Sequence, residues 1–247
     1  MTTFHIRKSF KESWNLLFSK ALFQKIAFVF IAITIPVLLL ASLMERAIFA
    51  SLQGGGAIIP IVLLLVSFVV LLYTSAVSIN TSVSVVSTQK ISLSKILKSS
   101  LNIKVMANLL GFFLTTLALL IGVLLLFGLA GRVLPIVGVI GFVLALFVGF
   151  YIILRLFFGS YLIVDKKENF FRAIKNSFKQ TQKIQGRLAG MLIIVGLIAF
   201  ASGLFLELLY VVSPVIQAVF SYLIFTITLS PFISFVLATP YVKTRNK

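Results

Sequence analysis

The sequence predicts an all-α membrane protein with six transmembrane helices and about three amphipathic helices at one membrane surface. Three observations support this prediction. The chain has six apolar segments of 19 to 26 residues, its cations concentrate between alternate segments, and those connections show amphipathic helical periodicity. The 247-residue chain is 60% hydrophobic with only five acidic residues, a composition that a soluble domain of this length does not tolerate.

Each apolar segment is long enough to cross the roughly 30 Å hydrocarbon core of a bilayer as a helix. The predicted spans are about 26–44, 57–79, 105–130, 136–154, 188–212 and 215–238. The first span is too long for a signal peptide and follows an amphipathic segment, so we expect it to be uncleaved. All 247 residues then form a single integral membrane domain.

Cations are distributed unequally between the two predicted membrane sides. Twenty of the 22 Lys and Arg residues lie on the side of the two termini, and only Arg46 and Arg132 lie opposite. Because Lys and Arg are retained in the cytoplasm, we expect both termini to be cytoplasmic. The net charge of +17 lies on that side, where anionic lipids attract each Lys or Arg by about 1 kcal/mol. The cations follow the helix ends and form no single patch, so nucleic acid is not an expected partner.

Three segments on the cationic side show the three-and-four spacing of apolar residues that is typical of helices lying on a membrane. They cover residues 4–24, 92–104 and 168–183, and Asn169 is the expected N-cap of the third. The single tryptophan anchors the first segment, and cations line the polar faces of the other two. The candidate lipid contacts are Trp14, Lys95, Lys98, Arg172, Lys175 and Lys179.

A serine followed by Phe or Leu recurs in these segments, at 8–11, 99–102 and 176–179, and each copy precedes a pair of spans. Internal repetition is common in membrane folds. Two interpretations are open. The chain is built from three copies of a surface helix followed by a helical hairpin, or the three tetrapeptides are alike by chance.

The second span ends in a stretch rich in Ser and Thr, whose polar groups fall on neighbouring rows of a helix. The candidate residues are Thr74, Ser78, Asn80, Ser84 and Thr88. Lipid satisfies such groups poorly, so this face is expected to turn toward protein or water. Hydrogen bonding between packed helices is the favoured interpretation, and a hydrophilic path through the membrane is the alternative.

Charged residues also lie beside or within the apolar segments. Arg155 snorkels to the headgroups if the fourth span ends beside it, the favoured interpretation, and lies inside the membrane if that span continues further. On the opposite side, Glu207 lies at the interface or pairs with Arg132 or Arg46.

Small residues and prolines mark specific points within the spans. Gly141, Ala145 and Gly149 recur every four residues in the fourth span, which lets another helix approach closely within the chain or between copies. Pro36 and Pro231 lie inside the first and sixth predicted spans, where each removes a backbone donor and is expected to bend the helix.

Catalytic chemistry is not expected. The chain has no cysteine and a single histidine, His5, interpreted as a solvated residue of the first surface helix. Asp165 and Glu168 are interpreted as helix-terminal carboxylates paired with nearby lysines, in preference to a cation site. No HExxH, GxSxG or phosphate-binding glycine loop occurs, so we expect no enzyme activity, metal or cofactor.

Residues 161–166 (Tyr-Leu-Ile-Val-Asp-Lys) and 170–181 (Phe-Phe-Arg-Ala-Ile-Lys-Asn-Ser-Phe-Lys-Gln-Thr) resemble the YciC-like bacterial inner-membrane proteins. More distantly, they are similar to the membrane domain that accompanies some glycerophosphodiester phosphodiesterases. Those groups have a span ending in an apolar-Asp/Glu-Lys step, then a surface helix, then another span. The resemblance extends over nearly the whole chain in its layout and implies a multi-pass protein of the bacterial inner (plasma) membrane. The chain has no counterpart of the phosphodiesterase barrel, so that activity is not implied.

Three functions are compatible with these features. The first is a non-catalytic protein in envelope or lipid-related homeostasis, which contacts anionic lipids, a membrane protein partner or another copy of itself. The second is a small-solute or lipid permease that uses the polar face of the second span, with Pro36 and Pro231 as hinges. The third is a membrane accessory subunit of a separate enzyme, which the phosphodiesterase resemblance suggests.

Overall fold

The computed structural model describes residues 5–52, 58–131, 135–213, 217, 220 and 226–245, and every regular element in these ranges is helical. The all-α class is therefore confirmed for the described part of the chain. The helices are α1 (Ile6–Leu17), α2 (Lys20–Leu52), α3 (Ile58–Thr88), α4 (Leu93–Ser100), α5 (Ile103–Gly131), α6 (Pro135–Leu156), α7 (Gly159–Lys166), α8 (Phe170–Gln182), α9 (Gln185–Val212) and α10 (Ser230–Thr244).

Five stretches of the described residues are long and apolar enough to cross a membrane. They are Leu22–Leu52, Ile58–Thr88, Ile103–Leu126, Ile140–Lys166 and Gln185–Val212. These five overlap the first five predicted spans, but the fourth continues past its predicted end at 154 to Lys166 and so includes Arg155, which follows the less favoured alternative. Their outward apolar side chains, such as those of Leu65 and Phe147, are exposed as lipid-facing groups are. The predicted sixth span, 215–238, begins largely outside the described residues and stays a prediction. Only its second half is described, mainly in α10.

The predicted surface segments form shorter helices than expected. The stretch 4–24 is divided, because the Ser19 carbonyl accepts hydrogen bonds from the amides of Leu22 and Phe23 and so begins α2. The segment 92–104 is also divided, since Asn102 caps α5 by accepting from the Lys104 amide at 2.9 Å.

The third surface segment follows its prediction closely, and α8 occupies residues Phe170–Gln182 of it. The Asn169 side chain accepts from the Arg172 amide at 2.9 Å and is the N-cap, as predicted. Pro36 lies within the continuous helix α2. Pro231 lies in the first turn of α10, directly after a π-helical turn at 226–229, and the bend expected there stays a prediction.

The helices pack most tightly at one end, which we call the basic end because α1, α4 and α8 lie there. Helix α1 packs on α10, α4 on α3, and α8 on α6 and α7. One buried cluster there contains Leu17, Ile26 and Phe235. A second contains Leu109 and Tyr241. The surface helices are thus part of the protein core and not loose appendages.

Candidate functional site

Two polar candidates of α3 contact neighbouring helices. The Ser78 hydroxyl lies 3.3 Å from that of Ser234 in α10. The side-chain amide of Asn80 donates to Ser100 Oγ at 2.8 Å and to Ser99 Oγ at 3.2 Å, both at the end of α4. Because each bond satisfies polar groups that lipid would leave unpaired, these residues hold α4 and α10 against α3.

The other α3 candidates bond within their own helix. The Thr74 hydroxyl donates to the Leu71 carbonyl at 3.0 Å, and the Thr88 hydroxyl donates to the Ser84 carbonyl at 2.8 Å. Thr88 is exposed in the last turn, and the Ser84 side chain is half-buried. The five candidates therefore face different surroundings and do not form one continuous row of water-facing groups.

Thr74 and Ser78 line a cleft of about 470 Å³ between α2, α3, α5, α7 and α10. The described lining contains no charged side chain, and Phe30, Phe113 and Phe157 supply much of its apolar wall. Its hydroxyl groups are those of Thr34, Thr74, Ser75, Ser78, Ser160, Tyr161 and Ser230. Such a lining suits an uncharged group with several hydrogen-bonding atoms.

The cleft's hydroxyls fall into two sets. Thr34 donates to the Phe30 carbonyl at 2.7 Å and is satisfied within its helix. The side-chain hydroxyls of Ser75, Ser160 and Ser230 come from three different helices and have no hydrogen-bond partner among the residues the structure describes. Ser160 and Ser230 were not among the sequence candidates, because only the packing of α7 and α10 against α3 brings them beside its polar face.

Arg155 lies in the last turn of α6, where α8 crosses it. Its Nε donates to Tyr151 Oη at 3.0 Å and its Nη1 donates to the Phe178 carbonyl at 3.4 Å. The guanidinium carbon is 5.1 Å from the Tyr151 ring centroid and 5.9 Å from that of Phe178. The guanidinium is thus held between a spanning helix and a surface helix.

Each of the three recurring serines is fully buried, although all lie on amphipathic helices. Ser9 donates to the His5 carbonyl, and Ser100 accepts from Asn80. Ser177 donates to the Arg155 carbonyl at 2.7 Å and accepts from the Phe158 amide at 3.1 Å. These two bonds hold both sides of the break between α6 and α7 against α8.

A polar cluster that the sequence analysis missed joins α7 to α10. Asp165 Oδ2 accepts hydrogen bonds from Tyr241 Oη at 2.8 Å and from Arg245 Nη1 at 2.9 Å. Burial and the Asp165 carboxylate raise the pKa of the Tyr241 phenol, so it stays protonated and donates. The Asp165 partner is therefore this C-terminal pair and not an adjacent lysine. The i, i+4 spacing of Tyr241 and Arg245 was the available signal.

Glu168 also differs from the lysine pairing that the sequence analysis favoured. Its Oε2 accepts from the Asn176 side-chain amide at 2.9 Å, within the α7–α8 connection and α8. Within the described residues no group of three or more His, Cys, Asp or Glu side chains is gathered.

The charged candidates of the opposite end have little packing around them. Glu207 is exposed in α9 and makes no ion pair with any residue the structure describes. Arg46 is exposed in α2, and Arg132 lies outside the described residues. One interpretation of Glu207 was an ion pair with Arg46, and the contacts of the described residues do not include that pair.

The small residues of the fourth span lie at the α5–α6 contact. Gly141 and Ala145 are buried, and a Cβ on Gly149 would lie 3.6 Å from Leu120 Cδ2 of α5. A closer approach, not predicted, occurs at Gly159, where a Cβ would overlap the ring of Phe112. Only glycine lets the start of α7 reach α5 at this point.

The lipid-contact candidates lie on the outer surfaces of α1, α4 and α8. The five cations Lys95, Lys98, Arg172, Lys175 and Lys179 are all exposed. The ion pairs found among the described residues join Lys8 and Lys243 to Glu12 and Arg245 to Asp165, so none involves these five. Trp14 is 52% exposed and its ring packs edge-on against Phe232 at 5.8 Å.

No protein-family model matches this chain, and neither the curated proteins nor the solved structures include a significant match to it. The resemblance to the YciC-like proteins thus stays a prediction.

Proposed function

We propose that this chain is a non-catalytic, multi-pass protein of the bacterial inner membrane, of the YciC-like type, that contacts anionic lipids in envelope or lipid-related homeostasis. The observation that carries the proposal is the set of five exposed cations on α4 and α8, none of which pairs with a carboxylate in the described chain. Among the described residues these cations have no carboxylate partner, and a membrane of negative surface charge supplies anionic groups for them.

The packing of the surface helices supports this proposal. Helices α4 and α8 lie against spanning helices, and Ser100 and Ser177 are buried at those contacts. The cations on their exposed faces are therefore held in fixed positions relative to the spanning helices. Each contributes about 1 kcal/mol of attraction to an anionic leaflet, and salt weakens the attraction by screening.

Thermal unfolding in detergent micelles tests the proposal. Added phosphatidylglycerol is expected to stabilise the protein more than phosphatidylcholine, and 0.5 M NaCl (about three times the salt that gives an 8 Å Debye length) is expected to remove much of the difference. A variant with all five cations changed to Gln should lose most of the preference, whereas Arg46→Gln at the far end should keep it. Equal stabilisation of the wild type by both lipids contradicts the proposal.

The same proposal places the basic end in the cytoplasm. Because the chain has no cysteine, single cysteines report sidedness without background. Lys175→Cys is expected to react with a membrane-impermeant maleimide in inverted vesicles, and Leu52→Cys in intact spheroplasts. The reverse pattern contradicts the orientation.

A second candidate function, passage of a small solute or lipid, is favoured by the hydroxyl-lined cleft. Ser75, Ser160 and Ser230 offer it hydroxyls that have no described hydrogen-bond partner. Cysteines at these positions, or at Asn80 and Ser84, should react with aqueous thiol reagents, while Leu64→Cys on the lipid-exposed face of α3 should not. Uniform protection of all of them removes this candidate.

A further inference from the structure

The guanidinium of Arg155 is oriented by its surroundings. Tyr151 Oη and the Phe178 carbonyl each accept one of its N–H groups, and both rings lie within 6 Å of its central carbon. Its backbone is held as well, since the Arg155 carbonyl accepts from the Ser177 hydroxyl at 2.7 Å. Little conformational freedom remains to be lost when a ligand binds.

This oriented cation has spare hydrogen-bonding capacity. A guanidinium carries five N–H donors, and the two bonds above leave about three of them unused. No carboxylate of the described chain pairs with Arg155. Tyr151 and Phe178 are both partly exposed, so the unused donors lie at the outer surface of the helices and not in the core.

The position of Arg155 selects the kind of anion. The candidate span Ile140–Lys166 continues past Arg155, but α6 ends at Leu156 and the cationic helix α8 contacts the guanidinium there, so we infer that Arg155 lies at the level of the headgroups. The anion available at this level is the phosphate of a phospholipid, and the planar fork of arginine binds two phosphate oxygens at once. Lys175 and Lys179 lie one turn before and one residue after Phe178, and their charge disfavours a headgroup that carries an amine.

We propose that Arg155, oriented by Tyr151 and Phe178 at the α6–α8 junction, binds the phosphodiester of an anionic phospholipid. This inference rests on the proposed function and makes it more specific: one headgroup occupies a stereochemically defined site, in addition to the diffuse attraction of the exposed cations. Phosphatidylglycerol, which has a phosphodiester and no amine, has the required chemistry.

Native mass spectrometry of the purified protein, titrated with phosphatidylglycerol, tests this site. Arg155→Lys keeps the charge but loses the fork, and it is expected to weaken the first binding event about tenfold, the effect of losing one charge-assisted hydrogen bond. The matched control Arg7→Lys changes an exposed arginine of α1 at the same end, and it should shift binding less than about twofold.

A second variant tests the site even if the Arg155→Lys protein does not fold. Tyr151→Phe retains the ring and the arginine but removes the hydroxyl that accepts from Nε, and it is expected to weaken binding by about threefold to fivefold through lost orientation. Inorganic phosphate in a parallel titration should not compete at millimolar concentration, because it lacks the acyl chains that hold a lipid beside α6. Competition by free phosphate would overturn the assignment to a lipid.

The remaining outcomes separate the two proposals. One outcome is that Arg155→Lys and Tyr151→Phe bind phosphatidylglycerol like the wild type while the variant with all five cations changed to Gln does not. That result means that the lipid attraction is diffuse, and it refutes the Arg155 site but not the proposed function. If the wild type shows no preference for phosphatidylglycerol over phosphatidylcholine, the proposed function fails and the site fails with it.

Discussion

The phenol of Tyr241 donates a 2.8 Å hydrogen bond to Asp165, a residue 76 positions earlier in the chain. Arg245 donates to the same carboxylate oxygen, and Lys166 donates to the Arg245 carbonyl at 3.3 Å. These bonds attach the end of α10 to the end of α7. Because α8 packs on α7, these bonds also connect α10 to the helices around α8 and contribute to the packing of the basic end.

Removing this phenol should destabilise the protein. Tyr241→Phe is expected to lower the free energy of unfolding by about 1.5–3 kcal/mol, the usual value for a hydrogen bond to a charged group. Unfolding in detergent measures the change. Tyr210→Phe, on an exposed residue of α9, is the control and should stay within about 0.5 kcal/mol of the wild type. Equal effects of the two substitutions would show that the Asp165 bond contributes nothing.

The Tyr241 bond also predicts a pH dependence at alkaline pH. Burial and Asp165 raise the pKa of Tyr241 above its ordinary value of 10.0. Above pH 10 the unfolded chain ionises this phenol while the folded chain keeps it protonated, so the folded state binds more protons and stability falls as pH rises.

The stabilisation by Tyr241 is therefore complete below pH 10 and is lost above it. The difference in stability between wild type and Tyr241→Phe should shrink by up to about 1.4 kcal/mol per pH unit above that value. Parallel unfolding curves of both proteins at neutral and alkaline pH measure this difference. A gap that stays constant with pH contradicts the prediction.

The contact between α7 and α5 requires glycine at position 159. Gly159→Ala would push a methyl group into the buried ring of Phe112 and should cost about 1–3 kcal/mol of stability through overpacking. Gly196→Ala is the control, because a Cβ there meets no atom within 4 Å and alanine favours the helix. Adding Phe112→Leu to Gly159→Ala should recover part of the loss, and no recovery would mean that the ring is not the obstacle.

The break between α6 and α7 depends on Ser177. Ser177→Ala leaves the buried Phe158 amide without its acceptor and should lower stability by about 1–3 kcal/mol. The control is Ser202→Ala, since that hydroxyl bonds only the carbonyl one turn earlier in α9. In thermal unfolding, Ser177→Ala is expected to lose more stability than Ser202→Ala. An equal or larger loss of stability for Ser202→Ala contradicts the prediction.

The surface helices were predicted from the local periodicity of their apolar residues, and the spans from the length of the apolar segments. Apolar spacing predicted α8 to within two residues of each end, and the Asn169 cap followed from its sequence position. The stretch around Ser19 shows the limit of such patterns. An amphipathic sequence continues through it, but the Ser19 carbonyl begins a new helix there, and only backbone hydrogen bonds locate that boundary.

The candidate site was predictable only in part. The polarity of α3 predicted that its face meets protein or water, since unpaired polar groups are costly in lipid. It did not predict that Asn80 faces α4 while Thr74 faces the cleft. Those partners depend on which helices are neighbours, and helices of similar apolarity give no local indication of their order.

By itself the sequence determined that the chain is helical and has several apolar helices long enough to cross a membrane, because the length and apolarity of a segment can be read without knowing its neighbours. The tertiary structure decided the contacts between distant segments: Tyr241 with Asp165, Gly159 with Phe112, and Arg155 with Phe178. Each depends on the relative position and rotation of two packed helices. That geometry is set by the whole bundle, and neither segment encodes it alone.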